Sequence, residues 1–333
     1  MKKLVVYPGI SRRKKSETVL SADPTVLKGL SFWCGNDTLH SEKPGTYHED
    51  HCCLTHVVGL PRHPATKEEM PLTPYQVDFV NSVIEATTNP GDVSEIEWLR
   101  LAHMFHVLKG RQMGFTEIVL RLIQFFCFNR YAGKNIGIIA ATNGNLAAKD
   151  LRRFYRLFNN IKYTIKTPLK GRKLVLWDDT TIEAFPASEE ALTGDTDYAC
   201  IFMDESAKWK LVDDTPVFNS VLPIVRSNGA DFFLVSTPKG PIKMFYKIWK
   251  DPQEFVMLEY DIWRAEGNLY TKPQIENMIA SSKEDPNQEY LCQFTIGQDS
   301  IFGTITENNM EEGLYEWNIG DDDEDDGYVE DDD

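Results

Sequence analysis

The loop Lys109-Gly110-Arg111-Gln112-Met113-Gly114-Phe115-Thr116 carries two glycines, two cations and a hydroxyl within eight residues. A loop that holds phosphate needs backbone N–H groups turned inward at a helix N-terminus, a cation on the β/γ-phosphates and a Ser/Thr hydroxyl on Mg²⁺. Gly114 and Thr116 stand where the G-K-[ST] end of such a loop has its glycine and hydroxyl. Phe115 holds the place of the usual lysine, and the cations Lys109 and Arg111 sit at the front of the loop instead. About ninety residues later, Cys200-Ile201-Phe202-Met203 runs straight into Asp204-Glu205. Adjacent carboxylates at the end of an apolar strand suit a division of labour in which Asp204 holds Mg²⁺ through its water shell and Glu205 polarises an attacking water. Ser236 and Thr237 end another apolar run, where a hydroxyl pair can sense a γ-phosphate and pass on its loss. Gln76, upstream in Pro71-Leu72-Thr73-Pro74-Tyr75-Gln76, offers the donor and acceptor that suit an adenine edge.

The elements that must position these residues follow from periodicity. Pro74 onward shows a helical stripe (Val77, Phe79, Val80, Val83, Ile84) stopped by Asn-Pro-Gly. HMFHVLKG reads as a strand, TEIVLRLIQFFCFNRYAG as a buried helix, NIGIIAAT as a strand and LAAKDLRRFYRLFNNI as a helix. KLVLWDDTTIEAFPAS reads as an antiparallel hairpin turning at Asp178-Asp179. DYACIFMDESA and DFFLVSTPKG are two further apolar strands ending in polar loops. Strands alternating with helices predict an α/β fold around a largely parallel sheet, whose sites lie at the carboxyl ends of the strands. The polar loops fall at those ends.

In their order and strand placement these elements resemble the ATPase domain of the large terminase subunit, the DNA-packaging motor of tailed viruses, over roughly residues 50–303. The resemblance rests on Gln76, the loop KGRQMGFT, the strand IFMDE and the STP at 236–238, with support from ATNGNLAAKDLRRF, ASEEALTGDTDYACIFMDES and DPNQEYLCQFTIGQDSIFG. It implies a P-loop (RecA/ASCE-like) NTPase with a central, mostly parallel sheet flanked by helices, plus a small subdomain. It implies ATP and Mg²⁺ as ligands, with Lys109 on the phosphates, Arg111 acting in cis on the γ-phosphate, and Thr116 and Asp204 holding Mg²⁺. Glu205 would activate water, and Ser236 and Thr237 would couple hydrolysis to motion. The implied partners are double-stranded DNA held by its phosphates, further copies in a ring at a procapsid portal, a small terminase subunit and a separate nuclease chain, in the host cytoplasm.

The chain departs from the family at Phe115 and at Thr193, where many relatives have an arginine that is a candidate finger for a neighbouring subunit; if such a finger exists here it must come from elsewhere, with Lys208 and Arg226 as candidates. Relatives continue into an RNase H-like nuclease, whereas here an acidic run follows, so no nuclease is expected in the chain. A helicase-like ATPase and a weakly active assembly subunit are the competing readings.

The net charge of −16 at first disfavours a partner of nucleic acid. Residues 307–333 alone hold 14 acids and no Lys or Arg, which leaves 37 acids against 35 bases in the rest of the chain. The body is thus near neutral, and self-repulsion predicts a disordered tail. Candidate DNA contacts are Lys149, Arg152, Arg153 and Arg156 on one helix, and Lys239, Lys243 and Lys247. Five histidines between His40 and His63 lie near Cys34, Cys52 and Cys53; a metal site is conceivable there, but no CxxC pair is present and the spacings fit no zinc pattern well, so an ordinary extension is the expectation. The expected organisation is an N-terminal extension at 1–57, an ATPase core at 58–250, a closing subdomain at 251–306 and the acidic tail at 307–333. No apolar run is long enough to span a membrane, and the six scattered cysteines read as reduced thiols.

Overall fold

Among the described residues eight strands form the sheet that carries the site. The computed structural model describes β1 (Lys3–Val5) and β2 (Val19–Ser21), which pair with each other, and most residues from 68 to 295. The Cys/His-containing residues, Thr193 and the acidic tail lie outside the described residues.

Strand β3 (His103–Lys109) is buried along its whole length, as are β8 (Tyr198–Asp204) and β9 (Asp231–Ser236). Their sequences are nearly continuous apolar runs because both faces of the sheet are covered. Phe105 and Val107 point into one core layer while Met104 and Leu108 point into the other. Phe105 stacks on Phe233 of β9 at 5.1 Å. The first layer is closed by α1 (Pro74–Thr87), α2 (Phe115–Phe126) and α3 (Asn145–Leu157). The second is closed by α4 (Asp214–Asn228) and α5 (Met244–Lys250).

Pairing is parallel through β10 (Phe255–Tyr260), β3, β9, β8, β4 (Asn135–Ala140) and β7 (Thr181–Pro186). Beyond β7 it turns antiparallel in β6 (Lys173–Leu176) and β5 (Ile165–Lys170). The β6–β7 hairpin is the one expected, with Asp179 in the left-handed region at φ 67°. Pro168 lies in β5, an edge strand, where proline is tolerated. The stretch expected to close the ATPase region contributes β10, which extends the sheet beside β3, followed by α6 (Lys272–Ala280) and α7 (Pro286–Glu289).

Register makes the site. Leu108 pairs with Ser236 and Asp204 pairs with Val235, so β3, β9 and β8 end at one level. Lys109, Thr237 and Glu205 therefore leave the sheet side by side. At the opposite ends, buried Asp231 is held by Arg130 at 2.7 and 2.8 Å, His103 at 3.0 Å and the Tyr131 hydroxyl at 2.7 Å. Those bonds outweigh burial and keep its carboxyl below the usual range. Cys127, Cys200 and Cys292 are buried. Among the described residues no helix is long and apolar enough to cross a membrane.

Candidate active site

The loop after β3 is shaped by its neighbours. A Cβ on Gly110 would lie 2.9 Å from the Tyr290 carbonyl oxygen, so only glycine fits where the C-terminal segment crosses. The Gly110 and Arg111 N–H groups donate to Tyr260 O (2.8 Å) and Glu289 O (2.7 Å), which anchors the front of the loop. Those two N–H groups are thereby taken, which leaves the N–H groups of the residues after them to face an anion. Tyr270 donates to Gln112 O (2.9 Å), and Tyr75 and Gln76 donate to Met113 O (2.9 and 3.4 Å). A planar peptide points its N–H opposite to its C=O. The Met113 and Gly114 N–H groups therefore face away from these donors. Gln112 (φ 63°) and Gly114 (φ 76°) make the left-handed steps into α2, whose first-turn N–H groups have no partner in the helix. This is the geometry of an anion site.

Phe115 serves the core. Its ring packs on Tyr75 (5.8 Å), Phe79 (5.6 Å) and Tyr260 (4.9 Å) and fixes α2 against α1. Gln76 uses its Oε1 to accept from Thr73 N–H at 3.1 Å at the start of α1. One N–H and one lone pair of its amide remain for a ligand edge.

Three loops meet at Lys109. Its buried ammonium donates to Glu205 Oε1 and to Thr237 Oγ1, the latter at 3.0 Å. The Thr237 N–H donates to Glu205 Oε2 at 3.2 Å. Glu205 itself sits in the left-handed region (φ 53°, ψ 37°), a strained conformation held by its N–H bond to Val235 O at 2.8 Å. Burial alone would raise the Glu205 carboxyl, but the Lys109 charge and hydrogen bond, with the Thr237 N–H, keep it below its ordinary value. Asp204 goes the other way. It is buried, and burial together with the charges of Glu205 and Asp150 pushes it well up. Thr116 Oγ1 lies 3.3 Å from both Asp204 oxygens. Ser236 Oγ donates to Thr237 O (2.8 Å) and accepts from Ala207 N–H (3.2 Å), tying β9 to the turn after Glu205.

Among the described residues no group of three or more His, Cys, Asp and Glu side chains has metal-cluster geometry. Mg²⁺ does not need one, since it keeps several waters and takes one or two protein oxygens plus phosphate. The Thr116–Asp204 pair fits that demand. A carboxyl driven toward protonation by burial and by neighbouring negative charge is also the group a cation would relieve.

A cavity of about 640 Å³ opens over this arrangement, within the usual range for ligand sites. Gln76, Lys109, Glu205 and every residue from Arg111 to Thr116 line it. Gly110 is not in its wall. Asp204, Ser236 and Thr237 lie behind it and reach it through the bonds above.

Several residues were not singled out from the sequence. Asp150 of α3 is buried near Asp204 and has its carboxyl raised to about 6 by burial, with Arg153 pulling the other way. Its signal is a charge on the apolar face of an amphipathic helix, between Ala147, Leu151 and Phe154. Glu289 of α7 is buried, with Arg111 Nη1 at 3.0 Å and Lys208 Nζ on its other oxygen. Tyr270 and Leu269 complete the wall. The four basic residues of α3 divide into two pairs. All four are exposed to solvent, but only Arg153 and Arg156 line the cavity. Lys243 donates to Trp209 O and Lys239 pairs with Glu284 at 3.4 Å, while Lys247 is exposed. Lys208 is engaged by Glu289, and Arg226 reaches Glu254 at 3.3 Å.

Comparison with known proteins agrees with this fold. No curated protein matches the sequence. The large terminase of a thermophilic bacteriophage, solved in complex with ADP, is 14% identical with a TM-score of 0.51, covering 68% of this chain and 54% of that one. The large terminase of bacteriophage HK97 is 16% identical, TM-score 0.49, with 72% and 54% coverage. The Thermus phage P74-26 large terminase ATPase domain is 19% identical, TM-score 0.43, with 58% and 89% coverage. The chain thus spans about half the length of two of these three. The expected α/β architecture, a P-loop fold of the ASCE type, is the one present. A family model described as terminase large subunit, T4likevirus-type, N-terminal, matches residues 106–308, which include every element of the site but Gln76 and its helix. The chain belongs to that family, the N-terminal ATPase part of the T4likevirus-type terminase large subunit.

Proposed function

We propose that this chain hydrolyses ATP to move double-stranded DNA, as the motor subunit of a viral packaging machine. The observation that carries the reading is the meeting of Lys109, Glu205 and Thr237 in one bonded triangle beneath a nucleotide-sized cavity. Family membership supplies the ATPase assignment. The placement of a buried cation at the front of the loop compensates for Phe115 and disfavours an inactive assembly subunit.

In this mechanism Gln76 and Tyr270 flank the base, and the N–H groups from Met113 through the first turn of α2 hold the phosphates. Mg²⁺, carried by Thr116 and Asp204, would neutralise phosphate charge. Paired as they are, Lys109 masks Glu205, because a carboxylate bonded to an ammonium is a weak base. Drawing Lys109 onto the phosphates frees Glu205 to take a proton from the attacking water. Arg111 stabilises the γ-phosphoryl charge. Thr237, bonded to both Lys109 and Glu205, registers the change, and Ser236 transmits it to the turn at Ala207. DNA contact would run through phosphates, using exposed cations such as Lys149, Arg152 and Lys247. Arg153 and Arg156, lining the cavity, belong to the nucleotide side of the proposal.

The test is displacement of a triplex-forming third strand from blunt duplex DNA, at a protein concentration that permits ring assembly. ATP-dependent displacement is expected. Hydrolysis without displacement would remove the translocase step and leave an ATPase of another use.

A further inference from the structure

Glu289 is an almost fully buried carboxylate with two cations. Arg111 Nη1 meets Oε2 at 3.0 Å, and Lys208 Nζ meets Oε1. A buried ionised carboxylate must keep a cation, and losing its only one is costly. Here one of the two can leave. The Arg111 side chain is 52% exposed and lines the nucleotide cavity, while its backbone N–H stays fixed to Glu289 O at 2.7 Å. The guanidinium can therefore swing about an anchored Cα. Lys208, three residues after Glu205, stays to neutralise Glu289. Neighbouring charges complete the cluster: Glu284, paired with Lys239, also faces this group.

We propose that Glu289 is a positioning residue that holds Arg111 off the phosphates until a γ-phosphate competes for it, and so sets the preference of the site between triphosphate and diphosphate. This rests on the reading that Arg111 acts on the γ-phosphate. A γ-phosphate arriving in the cavity offers Arg111 a doubly bonded, more highly charged partner than a carboxylate already shared with Lys208. A diphosphate lacks that group. The same helix, α7, also bonds the coupling loop, since Gly240 N–H donates to Gln288 Oε1 at 2.9 Å. Release of Arg111 thus alters a contact of the segment that holds the loop after Thr237.

The experiment measures ATPγS and ADP affinities, each with Mg²⁺, by displacement of a fluorescent nucleotide. Glu289→Gln weakens the hold on Arg111 and is expected to tighten ATPγS about tenfold, leaving ADP within about twofold. Lys208→Met makes Glu289 depend on Arg111 alone and is expected to weaken ATPγS by a similar factor, again with ADP unchanged. Opposite signs in the two variants are what a merely structural ion pair does not produce. If both variants move ATPγS and ADP together, or Glu289→Gln weakens ATPγS, the proposal is overturned. Should Glu289→Gln not fold, Lys208→Met, which keeps Glu289 paired with Arg111, decides by its sign. Arg111→Ala separates the two readings: an unchanged ATPγS-to-ADP ratio overturns the γ-phosphate role itself. A lowered ratio with no gain in Glu289→Gln overturns the positioning role alone.

Discussion

Replacing Lys109 with methionine removes the cation on which the mechanism turns. The methionine keeps most of the apolar stem, so the core layer around β3 stays filled. Glu205 loses its ammonium partner but keeps the Thr237 N–H at 3.2 Å, and its side chain is 25% exposed and can hydrate. Breaking a fully buried pair costs about 3–5 kcal/mol, so this partly wetted one should cost roughly 1–2 kcal/mol. Folding therefore survives. Catalysis loses far more. A cation on the transferring phosphoryl group is worth about 10³–10⁵ in rate, or about 4–7 kcal/mol at roughly 1.4 kcal/mol per decade. The assays are denaturant unfolding and steady-state ATP hydrolysis, both with the protein assembled. Hydrolysis should fall by at least about a thousandfold while unfolding shifts modestly. A variant that hydrolyses ATP within tenfold of wild type would refute the assignment of the front-of-loop lysine. A collapse of stability with it would show that Lys109 is an anchor of the fold first.

Gly110→Ala should displace the loop, because a methyl group would meet the Tyr290 carbonyl at 2.9 Å; nucleotide binding, followed by fluorescence, should weaken at least tenfold. Asp231→Asn should cost about 3–5 kcal/mol in chemical denaturation by leaving Arg130 without its buried partner, while nucleotide affinity of the folded protein stays the same. Burial lowers the His106 imidazole to about 4, so the unfolded chain binds the extra proton between about pH 6.5 and 4 and stability falls as pH drops through that window. At pH 5 the loss from this group is about 2 kcal/mol, and it should vanish in His106→Gln.

The strands that carry the chemistry were readable because they are buried on both faces. HMFHVLK, YACIFMD and DFFLVS are continuous apolar runs, and each ends where polar residues begin. The helix at Asp214–Asn228 was hidden by Pro216 and Pro223, which speak against a helix interior although Val217, Val221 and Val225 keep its spacing. Strand β10 was hidden by its position at an edge, where FVMLEY is only partly buried and carries a weak apolar signal. In the site, loop residues were identifiable by type and order, but their partners were not. Arg111 and Glu289 are 178 residues apart in sequence, and only the sheet topology that brings Tyr260 and Tyr290 over Gly110 joins them. Arg153 and Arg156 read as DNA contacts together with Lys149 and Arg152, because a sequence does not show what lies across from an exposed cation.

The central claim is that Glu205, freed from Lys109, activates water for ATP hydrolysis. Its most direct test is ATP turnover by wild type and Glu205→Gln, assembled and with double-stranded DNA present. The account predicts steady turnover by wild type and a loss of at least about a hundredfold in the variant, with ATP binding retained. Equal rates in the two proteins, whether both active or both inactive, would contradict it.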